Sequence, residues 1–151
     1  KIAKSLFPII NYWSVKENLP TDPEIYENSF RRSIKLPIYG INMYETLNKY
    51  LISFNGHISH TGEYACNLRL FEASGLGSCL LTDHLQEINS IFEIDYEVVT
   101  YKNHEEAIEK AKFLLNNNET TKEIGKAAQK KTLNMYNTNI QAMRVLDYIT
   151  K

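Results

Sequence analysis

Short apolar runs alternate along this chain with stretches whose apolar residues recur three or four positions apart. Runs of the first kind fall at 8–13 (PIINYW), 51–55 (LISFN), 78–82 (SCLLT) and 97–101 (EVVTY). Bounded by turn residues, they predict buried β-strands. Pro8 breaks any helix through the patch Leu6, Phe7, Ile9, Ile10, Tyr12 and Trp13. Asp22-Pro23-Glu24 predicts a helix start, running to about Arg32. Residues 34–39 are expected to be extended, with Pro37 keeping them at an edge or out of a ladder, and Gly40 allows a sharp turn. Asn42 and Glu45 resemble a capping box for a helix carried by Tyr44, Leu47 and Leu51.

The run 67–82 (NLRLFEASGLGSCLLT) predicts a short helix, a glycine break and a strand. Leu68, Phe71 and Gly75 fall on one face of that helix with Leu70 and Ala73 beside them, and Arg69 and Glu72 share the other. Residues 83–93 hold one or two helical turns. The final third is helical. Asn103 and Glu106 cap a stripe of Ala107, Ile108, Ala111, Leu114 and Leu115. Thr120 and Glu123 start the next helix, with Ile124, Ala127 and Ala128 inward. Asn137 or Thr138 caps the last, with Ala142, Val145, Leu146 and Ile149 inward. Strands alternating with helices predict an α/β fold: a parallel sheet of about four strands with helices on both faces.

The bulk numbers narrow the partners. The chain has 151 residues, one domain's worth, with 43% apolar and 23% charged residues. A formal charge of −1 gives no bulk electrostatic case for nucleic acid or an anionic membrane. No apolar run approaches the roughly 18 residues of a membrane helix. Cys66 and Cys79 lack CxxC spacing and predict reduced thiols in a cytoplasmic protein. The chain begins at Lys1 without a signal peptide, so a piece of a longer protein is expected. Frequent tyrosine and asparagine suggest an AT-rich bacterial genome.

Candidate chemistry centres on Arg69 and Glu72. One reading is a surface ion pair worth a few tenths of a kcal/mol, of order ~0.3. The other is a ligand site. The loop 56–66 carries the chain from a strand end to the start of the 67–75 helix, and it is long for a βα connection. Ligands of open α/β sheets bind at the carboxyl ends of strands, and a helix N-terminus there favours phosphate. An arginine supplies a two-pronged phosphate donor, and a glutamate can accept from both hydroxyls of a ribose. His57 and His60 could pair with Asp83 or Glu63 on a metal, but no further His or Cys cluster supports this, and plain loop histidines are the alternative. Asp83 and His84 follow a strand end, where Asp also serves simply as a turn former. Tyr12, Trp13 and Tyr101 read as core. Gly75-x-Gly77 follows a helix and precedes a strand, the reverse of the strand–helix order a dinucleotide fingerprint needs.

These residues carry a resemblance. RLFEASGLGSCLLTD resembles the donor-binding segment of GT-B glycosyltransferases of the "glycosyl transferases group 1" type, with its (R)xFEAxxxGxxxLT stretch before a strand. YGINMYETLNKYLISFNGH and YEVVTYKNHEEAIEKAKFLL resemble runs on either side of it, so the likeness covers roughly residues 38–136. The resemblance implies a Rossmann-like C-terminal half of a two-domain transferase. Its partners would be a nucleoside-diphosphate sugar and an N-terminal acceptor domain, which would also hold the general base. No cofactor or metal is expected, because cations and backbone N–H groups stabilise the leaving diphosphate. Surface-polysaccharide assembly is the expected setting, with peripheral membrane association of the full-length protein only.

By the same resemblance Glu72 holds the ribose, Arg69 and Asn67 mark the branch that begins with Asn and Arg, and Gly56 and His57 belong to an N-x-H run with Asn55 that contacts the donor's phosphate or sugar. Many relatives carry a second glutamate eight residues before Glu72. That position is Tyr64 here, with Glu63 the nearest acid. The departure keeps open a second reading, a non-catalytic Rossmann-like binding or interaction module, and nucleotide binding separates the two. The family's last helix crosses to the other domain, so Met143 and Leu146 are expected to be exposed or packed on a neighbouring copy.

Overall fold

Three of the predicted strands form a parallel sheet. The computed structural model describes residues 37–57, 65 and 67–150. The strand expected at 8–13 and the helix expected from Asp22 lie outside them, as do His60, Glu63, Tyr64 and Cys66. β1 (Ile52–Phe54), β2 (Cys79–Asp83) and β3 (Val99–Tyr101) stand in the order β1-β2-β3. Ile52 pairs with Cys79, Leu81 with Val99 and Asp83 with Tyr101. Among the described residues six helices flank this sheet: α1 (Ile41–Lys49), α2 (Arg69–Gly75), α3 (Ile88–Ile91), α4 (His104–Asn116), α5 (Asn118–Met135) and α6 (Thr138–Ile149).

Strand side chains alternate between faces, and β2 is covered on both. Leu80 joins Ala65, Leu70, Ala73, Ile88, Phe92 and Val98 on one side. Cys79 and Leu81 join Val99, Leu114 and Ile124 on the other. Burial pushes the Cys79 thiol up to about 12. Helix α5 also reaches α2, where Thr132 Oγ1 lies 3.0 Å from Ser74 Oγ. Its Gly125 is buried against the turn that joins α2 to β2, and a Cβ added there would run into the carbonyl oxygen of Gly77. Gly77 itself has φ +80°, a conformation that favours glycine.

Several elements depart from expectation for local reasons. Gly40, at φ +60°, turns the chain and is itself the N-cap of α1. Asn42 therefore lies inside the helix, and the capping box with Glu45 does not form. The buried residues of α2 are Leu70, Ala73 and Ser74, an i, i+3, i+4 set, while Leu68 precedes the helix and is exposed. Helix α4 is capped as expected, with the Glu106 amide donating to Asn103 Oδ1 at 2.8 Å. It buries only Ala107 and Leu114. Ile108 and Leu115, one step round the helix from each, face solvent.

Helix α5 begins at Asn118, two residues before the expected Thr120. Ile124 and Ala128 point inward as expected, and Thr121, Gly125 and Thr132 complete the buried stripe. Strand β3 starts at Val99 because Glu97 turns inward to accept from Lys131 Nζ at 2.6 Å and the Glu93 amide at 2.7 Å. Helix α6 is capped by Asn137. It buries no residue: Met143 and Leu146 are exposed as expected, and so, against the inward stripe, are Val145 and Ile149. The described part of the run 34–39 stays out of the ladder, one of the two placements expected for it.

Candidate functional site

Parallel strands all end at one edge, and here the edge is polar. Asn55 follows β1, Thr82 and Asp83 end β2, and Tyr101 ends β3. Asn67, just ahead of α2, donates from Nδ2 to Asn55 Oδ1 at 3.1 Å. Asn55 Nδ2 donates to Thr82 Oγ1 at 3.0 Å, and Thr82 Oγ1 donates to Asp83 Oδ1 at 3.0 Å. The donors thus run in one direction and end on a carboxylate, which can only accept. Asn55 and Thr82 are buried, where such a chain of bonds reinforces itself. Tyr101 Oη ties in β3 by donating to the Asn55 carbonyl at 2.9 Å. Its ring stacks on Phe54, 5.3 Å between centroids and 8° from parallel. Burial, and then the charge of Asp83, hold the Tyr101 phenol above its ordinary range.

Asp83 has a second set of partners. The backbone N–H of His57 donates to both carboxylate oxygens at 3.1 Å, and His57 Nδ1 lies 2.6 Å from Oδ1. The His57 side chain is only 2% exposed, and its Nε2 is buried with no hydrogen-bond partner among the described residues. His84 turns elsewhere, with its ring on Thr100 Oγ1 at 3.2 Å and its amide on the Tyr101 carbonyl at 2.7 Å.

Arg69 and Glu72 sit beside this rim on the first turn of α2. They meet as an i,i+3 pair, Nη1 to Oε2 at 3.5 Å, with the arginine side chain 35% and the glutamate side chain 21% exposed. Glu72 Oε1 also accepts from Tyr44 Oη at 3.3 Å, which links α2 to α1. The amides of the first turn of α2 are largely engaged. Leu70 N–H donates to Asn67 Oδ1, while those of Phe71 and Glu72 donate to the Leu68 carbonyl. The free helix N-terminus expected for phosphate is thus partly closed by Asn67, whose side chain serves as a brace.

Of the residues singled out in the sequence, the structure joins His57 and Asn67 through Asn55, Thr82 and Asp83. Gly56 lies next to them, with room for a methyl group 3.7 Å from Tyr101 Oη. Arg69 and Glu72 form a separate pair. From sequence, Thr82 reads only as a strand residue, Tyr101 as core, Asn55 as a strand end within the N-x-H run, and Tyr44 as part of a helical repeat. The available signal was a polar side chain at the end of each apolar run. Among the described residues no group of three or more His, Cys, Asp or Glu could hold a metal ion. None of the helices described is long and apolar enough to cross a membrane.

Compared with known protein families, the sequence matches the profile of one described as glycosyl transferase-like over residues 16–147. Comparisons with curated proteins and with solved structures returned no match.

Proposed function

The chain belongs to the glycosyl transferase-like family, and from that premise we propose that it binds a nucleoside-diphosphate sugar at the carboxyl rim of its sheet, as the donor-binding half of a two-domain, metal-independent transferase. The observation that carries the reading is the clustering, at that one edge, of a hydrogen-bonded polar chain with a partly exposed arginine and glutamate. Arg69 offers a planar cation to the diphosphate, and Glu72 offers acceptor positions to the ribose hydroxyls. The contact between the two side chains is long for a charge-assisted bond, so a ligand that outbids it loses little. As the glycosidic bond breaks, charge grows on the leaving diphosphate, and a fixed cation stabilises it more than the ground state. The acceptor and the general base belong to the other half, and the reading places the protein in the cytoplasm, in surface-polysaccharide assembly.

One observation favours a second reading, a binding module without turnover: Arg69 and Glu72 already satisfy each other, as a surface ion pair would. Calorimetric titration with UDP, GDP, dTDP and CMP separates the two, since only the first requires binding. Glu72→Ala is expected to lose charged hydrogen bonds worth about 1.5–3 kcal/mol, roughly ten- to a hundredfold in affinity. Arg69→Ala is expected to weaken the diphosphate while sparing the nucleoside. Unchanged affinity in Glu72→Ala refutes the ribose assignment.

A further inference from the structure

The His57–Asp83 pair carries more contacts than a turn-forming aspartate needs. Asp83 is held from three directions: by the His57 amide, the Thr82 hydroxyl and the His57 ring. A carboxylate has no proton to give, so the short Nδ1–Oδ1 contact places the ring proton on Nδ1. Several neighbouring polar groups among the described residues already have partners. Tyr101 Oη is on the Asn55 carbonyl, the His84 ring is on Thr100, and Asn67 bonds at both ends of its amide. The Nε2 of His57, by contrast, is buried and without a partner among the described residues. In a neutral ring with its proton on Nδ1, that atom is a bare acceptor, and what it lacks is a donor.

We propose that Asp83 is a positioning residue that fixes His57 in the Nδ1–H form, and that Nε2 accepts from a hydroxyl of the sugar carried by the nucleotide. The proposal rests on the functional reading above, which leaves this one acceptor unassigned once Arg69 takes the diphosphate and Glu72 the ribose. The donors left on such a ligand are the sugar's hydroxyls and the N–H groups of the base. Since the base is present in UDP and GDP as well, comparing diphosphate with sugar nucleotide isolates the sugar. The arrangement has the logic of a carboxylate that orients an imidazole in catalytic triads, used here to select and hold a substrate group.

Two measurements test it. In protein labelled with 15N-histidine, long-range 1H–15N correlation is expected to show His57 protonated on Nδ1 and bare on Nε2. Asp83→Asn, whose amide can donate to Nδ1, is expected to move the proton to Nε2. A parent spectrum with the proton on Nε2, or on both nitrogens, overturns the role of Asp83. In calorimetry, His57→Ala is expected to weaken UDP-glucose or GDP-mannose about two- to tenfold more than the matching UDP or GDP. His57→Gln, which retains an acceptor oxygen, is expected to recover part of that loss and guards against a variant that does not fold. An equal loss for sugar nucleotide and diphosphate overturns the hydroxyl assignment while leaving nucleotide binding intact. A parent that binds no nucleotide refutes the functional reading and with it the ligand given to Nε2, and the histidine spectrum still decides the part played by Asp83.

Discussion

Two glycines at the same interface are expected to respond to alanine with opposite signs. In a helix interior alanine is favoured over glycine by about 1 kcal/mol, which alone would make Gly125→Ala stabilising. The structure reverses this. The added Cβ would overlap the Gly77 carbonyl oxygen, with Gly77 C and the Cys79 amide nitrogen both 3.1 Å away. All three atoms are backbone, and Gly77 is held at φ +80° by the turn, so no side-chain rotation relieves the overlap. Helix α5 must withdraw from the α2–β2 turn, loosening Ile124 and Ala128. Overpacking of this kind costs about 1–3 kcal/mol. Because the obstacle is backbone the upper half applies, and after the propensity gain a net loss of about 1–2 kcal/mol remains.

Gly75 differs: its added Cβ meets only the Thr132 methyl at 3.4 Å, an ordinary contact. Gly75→Ala is expected to be neutral or to gain up to about 1 kcal/mol. Thermal melts followed by circular dichroism should show Gly125→Ala lower by about 2–8 °C, at about 2–4 °C per kcal/mol for a chain of this size. A Gly125→Ala protein as stable as the parent would refute the close approach of α5 to that turn.

Three further outcomes follow from the rim and the core. Asn55→Ala should leave the Asn67 amide and the Thr82 hydroxyl short of a partner at a buried site, for a loss of about 1–3 kcal/mol by urea titration; a neutral result would show that the chain of bonds does not hold the rim together. Tyr101→Phe is expected to be less stable than the parent at neutral pH, through the lost bond to the Asn55 carbonyl. The phenol's range is raised in the folded protein, so its contribution is complete below the unfolded value of about 10 and is lost as pH rises through the folded one. The melting difference between parent and Tyr101→Phe should therefore narrow only above that pH, and a difference that widens there reverses the assignment. In a Cys66→Ser background the Cys79 thiol, buried and pushed up to about 12, should react with a disulfide reagent only as fast as the protein unfolds. Rapid native-state labelling would contradict its burial.

The described strands are legible because they are short apolar runs in a chain with ordinary helix periodicity, and observed β2 is the expected 78–82 shifted by one position. Boundaries failed where one side chain redirected the backbone. Gly40 pre-empted the cap assigned to Asn42, and Glu97, which looked like a strand start, turned inward to Lys131. Faces failed where the stripe had two choices. On α4, Ala107 and Leu114 meet the sheet, while Ile108 and Leu115 satisfy the same spacing on the neighbouring face. At the site, Arg69 and Glu72 could be paired from their separation alone. The link from Asn67 through Asn55 and Thr82 to Asp83 could not, since it joins three segments whose relation exists only once the strands are in register.

The span of that link has a kinetic meaning. Asn55 and Thr82 are 27 residues apart, and Asn55 and Tyr101 are 46 apart. The backbone bonds of helices α4, α5 and α6 are local and can form in about a microsecond, whereas parallel strands must wait for their crossovers to close. The polar rim is therefore expected to form after the local turns of these helices, so that early helical structure need not bring a site with it. During folding, the far-ultraviolet helix signal should recover ahead of any signal that reads the rim.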